Sequence, residues 1–134
     1  MPKEGGKAVK QYLIIGAALI VILLLNVWQS NFLKQTSRYI LTDINEIDNS
    51  VKRNDYDSVL KGIDELERTW NSVESGWDIF GEHDDIEQIN EHIVSMRVYA
   101  QHKDTEELVN EYTILASVIN HVIETEQLNF SNVL

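Results

Sequence analysis

A chain of 134 residues with a net charge of −11 and no cysteine has room for one domain and an anchor. The missing thiol excludes a disulfide framework, thiolate metal sites, a cysteine nucleophile and an acylated lipoprotein anchor. Glu4 is the sole acid and Lys3, Lys7 and Lys10 are the sole bases before residue 29, so 21 of the 22 acids but only 8 of the 11 bases follow; such a surface repels phosphate backbones and anionic lipid heads, and no nucleic acid is expected as a partner.

Residues 1–10 read as a short cytoplasmic tail, too small for an output domain. From Gln11 to Leu33 there is no charged residue, and a helix of that length spans roughly 34 Å, enough to cross hydrocarbon. Tyr12 and Trp28 stand where interfacial aromatics belong. No small-residue cleavage pattern follows in Asn26 to Asn31, which favours a retained anchor at 11–33 over a cleaved signal peptide. The three lysines before the span predict a cytoplasmic N-terminus at the cell membrane and an extracytoplasmic domain at 34–134. Lys34 and Arg38, one turn apart at the membrane exit, are the only local counterweight to the acidic surface.

Beyond the span, apolar residues recur in alternating steps of three and four, the helical signature. The first seam is Leu33, Ile40, Ile44, Ile47 and Val51, with Ser37 at the missing position. The second is Val59, Ile63, Leu66, Trp70, Val73, Trp77 and Phe80. The third is Ile86, Ile89, Ile93, Met96 and Ala100, and the fourth is Leu108, Tyr112, Leu115, Ile119 and Val122. Each stripe is narrow and flanked by polar side chains, so each helix needs partners. Breaks are expected at Lys52-Arg53-Asn54-Asp55, at Gly81, and at Gln101-His102-Lys103-Asp104. Asp55 caps the second helix, Asp104 with Glu107 forms a capping box, and Glu82, Asp84 and Asp85 suit a helix N-terminus.

The halves align at an offset of 49 residues, which carries Ile40 onto Ile89, Asp55 onto Asp104 and Val59 onto Leu108. Heptad phase alone gives much of this; the matching caps go beyond it. The expected fold is all-α: an N-terminal transmembrane helix continuing into an antiparallel four-helix bundle made of two αα-hairpins. A short stack of helix pairs is the alternative.

The stretch Trp70 to Trp77, Asp78-Ile79-Phe80-Gly81-Glu82-His83-Asp84-Asp85-Ile86-Glu87 resembles a family of short single-pass proteins of spore-forming Gram-positive bacteria. That family is catalogued as a domain of unknown function, number four-three-six-three. The ending from Ile119, His121 and Glu124 through Glu126, Leu128, Ser131 and Asn132 is similar to the family's C-terminus, and Lys103-Asp104 before Leu108 also fits. Gly81 departs from the bulkier residue expected there. The resemblance implies no activity and no cofactor, and points to accessory proteins of multi-pass membrane proteins.

Residue chemistry agrees with a non-enzyme. His83 and Glu87, at i and i+4, share a helical face and with His121 could bind a divalent metal; the commoner meaning of such a pair is a capped helix start with a surface histidine. His92 and His102 lack partners at catalytic spacing and are expected to be exposed. His121, beside the fourth seam, is expected to be half-buried with a hydrogen-bond partner. Trp70, Trp77 and Phe80 are expected in the core. No G-x-S-x-G and no glycine-rich phosphate loop occur. The expected function is that of an accessory or interaction protein bound to the bilayer through 11–33 and to another integral membrane protein. Asn26, and Gly16, Ala17 and Ala18, suit helix contact in the membrane. The alternative is a divalent-metal or small-ligand binding module on the outer membrane face.

Overall fold

Helices stop where the backbone leaves the right-handed region, and two non-glycine residues do so here, Asn54 at φ 53° and Lys103 at φ 54°. Around each, the same pair of bonds closes the preceding helix. The amides of Asn54 and Asp55 donate to the carbonyls of Val51 and Ser50, at 2.9 and 3.1 Å. Those of Lys103 and Asp104 donate to Ala100 and Tyr99, at 3.1 and 2.9 Å. The next residue starts a new helix. Asp55 Oδ1 accepts from the Ser58 amide at 3.2 Å, and Asp104 Oδ1 from the Glu107 amide at 3.3 Å, its half of the expected capping box. Bonds from the Ser58 hydroxyl and amide hold the Asp55 carboxyl below the ordinary aspartate range.

The computed structural model describes residues 2–133 as four helices: α1, Pro2–Lys52; α2, Tyr56–Phe80; α3, His83–Gln101; and α4, Thr105–Val133. No strand occurs among the described residues. The middle turn has another logic. Gly81 is extended, with φ −91° and ψ 175°, and its amide donates to the Trp77 carbonyl. A Cβ there would lie 2.9 Å from that carbonyl oxygen. Glycine thus stands in place of a bulkier residue because of close approach, not because of a positive φ.

Helix α1 packs on α2 and α4, and α3 packs on the same two; among the described residues the diagonal pairs do not approach as closely. The first helix therefore meets the last, which closes a bundle and excludes an open stack. The four seams form its core. Every seam residue named above is buried except Val73 and Phe80, which are half-buried against that core. Fully burying side chains of this size contributes about 1.5–3 kcal/mol each before the entropy of ordering is set against it. The α1/α2 approach is close: a Cβ on Gly62 would lie 2.8 Å from Ile47 Cγ1, and one on Gly76 would strike the Phe32 ring.

Polar bonds pin every interface. Trp77 Nε1 donates to Thr36 Oγ1 at 2.9 Å inside the α1/α2 seam, and Thr69 Oγ1 to Asp43 at 2.6 Å. Trp70 Nε1 donates to Asn90 Oδ1 at 2.7 Å, and Arg97 reaches Glu67 and Asp64 across α2 and α3. Tyr112 donates to Asp48 at 2.7 Å between α4 and α1. At the distal turns the Tyr56 and Thr105 hydroxyls meet, again 49 residues apart.

Helix α1 contains one stretch long and apolar enough to cross a membrane, with a mean hydropathy of 2.3 and none of that window buried. Burial begins at Ser30 and Leu33, 6% and 1% exposed. Burial in the bundle thus starts within the uncharged stretch Gln11–Leu33.

Candidate functional site at the apolar-helix end of the bundle

Two turns lie at the far end of the bundle from α1's apolar stretch. The α2/α3 corner and the last turns of α4 lie beside it. Phe80, the last residue of α2, is held edge-on by Trp28 and Phe32 of α1, with ring centroids 5.2 and 5.9 Å away. Gln29 Nε2 donates to the Phe80 carbonyl at 3.2 Å and so satisfies an end-of-helix acceptor. The Lys34 ammonium stands 5.4 Å from the Phe130 ring centre of α4. Trp77 is fully buried, edge-on to Trp70 at 5.4 Å, as a core residue should be.

Beneath Gly81 a cleft of about 250 Å³ opens among the ends of the four helices, bordered by Trp77, Phe80, Glu82, Asp85, His121 and Glu126. Its field is negative. The Asp85 carboxyl is pushed above the ordinary aspartate range, first by burial and then by the Glu82 charge, with His121 opposing and Asp84 adding to the shift.

The residues singled out for metal binding are placed as follows. His83 and Glu87 lie exposed on α3, and His121 lies exposed on α4. Among the described residues, no group of three or more His, Asp or Glu side chains could hold a metal ion. The fold brings Asp85 and Glu82 toward His121, in place of the trio His83, Glu87 and His121. Asp85 precedes the seam residue Ile86, while Glu87 faces outward.

Two histidine expectations change. His121 is exposed rather than half-buried, because it sits on the open side of Val122. His92 is not exposed and unpartnered: its Nδ1 lies 2.6 Å from Glu111 Oε2, and the two side chains are 19% and 16% exposed. The pair bridges α3 and α4. His102 is exposed as expected, with Nδ1 2.8 Å from the Val98 carbonyl.

Residues 27–133 match the model of a family described as a domain of unknown function (DUF4363). The match starts one turn before the first buried residue, Ser30, and ends with α4, so it takes in the whole bundle together with the cleft. No curated protein and no solved structure matches the chain.

Proposed function

From the premise that the chain belongs to the DUF4363 family, we propose that it is an accessory protein, held in the cell membrane by α1, whose bundle docks on another integral membrane protein. The observation that carries this reading is the continuity of α1. One uninterrupted helix passes from the apolar stretch into the bundle core, so the helical domain stands at a fixed height on its anchor. The side chains best suited to chemistry are engaged in holding helices together: His92 by Glu111, Asp48 by Tyr112, Arg97 by Glu67 and Asp64. Lysines before the apolar stretch support a cytoplasmic N-terminus and an extracytoplasmic bundle.

Crosslinking in native membranes followed by mass spectrometry tests the proposal. Recovery of one recurrent multi-pass partner is the expected result. A chain that crosslinks to nothing, while the purified protein binds a metal or small molecule, overturns it. The metal-module rival, built on His83, Glu87 and His121, requires thermal stabilisation by zinc or manganese that His83→Ala removes. At a hundred times the dissociation constant that gain is about 2.7 kcal/mol. Absence of any shift at millimolar metal eliminates the rival.

A further inference from the structure

The apolar part of α1 is short for a bilayer. From Tyr12 to Trp28 the helix rises about 24 Å, several ångströms less than a hydrocarbon core of about 30 Å. Beyond Trp28 come Gln29, Ser30 and Asn31, and Ser30 is already buried in the bundle. An apolar segment that is too short draws its flanks toward the acyl chains. Here the flank is the base of the bundle.

That base exposes apolar side chains at the matching depth. Helix α2 ends against Trp28 and Gln29, where Phe80 is held. Helix α4 reaches further along α1: Asn129 and Phe130 border a cleft with Leu23 and Val27, and the helix continues to Val133. Five acids punctuate α4 from Thr105 to Glu126, and no charged residue occurs from Gln127 to Val133. The helix thus loses its charge where it comes alongside the apolar stretch. Outside that stretch, the two most exposed large apolar side chains among the described residues are Ile79, 73%, and Leu128, 64%. They stand on the last turn of α2 and the last turns of α4, the two helices that flank α1. Folding does not account for them, since neither belongs to the core or packs against it. Phe130 and Trp28 beside them are 42% and 58% exposed.

We propose that the base of the bundle is seated in the lipid interface of the bilayer that α1 crosses, through Ile79 of α2 and Leu128 and Phe130 of α4. This rests on the reading of α1 as a membrane span. Immersion of these turns supplies the apolar length that α1 lacks, with the Trp28 and Phe130 rings at the boundary of the acyl chains. The exposed Glu82, His83 and Asp84 at the start of α3 limit the depth, since charged groups stay at the headgroups or in water. The base therefore enters on its α1, α2 and α4 sides, and the α3 corner stays out. A second protein helix is the other cover for such a face. The length deficit favours lipid, because it exists whether or not a partner is bound.

The chain has no cysteine, so single cysteines report depth directly. Leu128→Cys, Ile79→Cys, Asn54→Cys and Ile20→Cys, each in the full chain, carry an environment-sensitive nitrobenzoxadiazole label in phosphatidylcholine vesicles. Doxyl-labelled phosphatidylcholine quenches from the lipid and iodide from the water. Asn54 stands at a distal turn, and Ile20 is exposed near the middle of the apolar stretch. Lipid quenching at Leu128 and Ile79 should exceed that at Asn54 severalfold, with emission shifted to the blue. Replacing eighteen-carbon by fourteen-carbon acyl chains should lower it at both sites but not at Ile20, because a thinner bilayer removes the deficit. Labels at Leu128 and Ile79 that behave like the one at Asn54, with Ile20 in lipid, overturn the proposal and leave the span standing. Shielding from iodide without lipid quenching shows a protein cover and overturns it too, as does quenching indifferent to chain length. Water-like emission at Ile20 overturns the span reading itself and this proposal with it.

Discussion

Asp48 and Asp85, at opposite ends of the bundle, are perturbed in opposite directions. Hydrogen bonds from Lys52 and then Tyr112 hold Asp48 below the ordinary aspartate pKa of 3.8, whereas burial and Glu82 raise Asp85 above it. Linkage gives each a sign. The stabilisation from Asp48 is present above pH 3.8 and lost as pH falls through its lowered pKa. That of Asp85 is complete below pH 3.8 and lost as pH rises through its raised pKa. Asp85→Asn should therefore raise the midpoint of thermal unfolding at neutral pH, and the gain should vanish toward pH 3.8. Asp48→Asn should lower it at neutral pH, and that deficit should shrink below pH 3.8. Fluorescence of the buried Trp70 and Trp77 reads both; the same sign for the two variants at neutral pH would contradict the assignment. These residues also show what a linear reading misses. Asp85, His92 and Glu111 each immediately precede a seam residue, Ile86, Ile93 and Tyr112. A position flanking a seam looks solvent-facing along its own helix and is half-covered once a second helix arrives. His92 thus gains Glu111 from a helix whose register no local pattern states.

At the scale of elements, the distal turns place Asn54 and Lys103 in the left-handed region, which costs an L residue roughly 1–2 kcal/mol and asparagine less. Lys103→Gly should stabilise the bundle by about 0.5–1 kcal/mol, net of glycine's added unfolded-state entropy, and Asn54→Gly by less. Urea unfolding of the full chain in detergent measures this. Loss of stability in Lys103→Gly would show that its aliphatic stem, whose ammonium lies 5.9 Å from the Tyr56 ring centre, matters more than φ. The elements themselves were legible because each seam keeps strict three-and-four spacing and both distal breaks carry an aspartate cap, Asp55 and Asp104. The closure of α1 on α4 was favoured by short turns but not dictated by them, since hairpins of the same sequence pattern also stack. The need for Gly81 was not legible: it arises from the Trp77 carbonyl in three dimensions, and its φ is ordinary.

At the scale of the molecule, the proposed anchoring makes a prediction of sidedness. A cysteine replacing exposed Ser72 should react with an impermeant maleimide on intact cells, and one replacing Gly5 should not. The reverse labelling pattern would invert the lysine-based orientation. Whichever side the bundle occupies, the unbroken α1 makes it a lever. A helix hinge would need a proline, a glycine pair or a bulge near the join, and α1 runs helical through Trp28 to Leu33. With α1 spanning the membrane as proposed, tilt imposed on it by bilayer thickness is transmitted whole to the domain. With a bundle some 35 Å tall, a change of about 10° sweeps the Asn54 and Lys103 turns roughly 6 Å sideways. A partner resting against those turns would feel hydrophobic mismatch in the membrane as displacement.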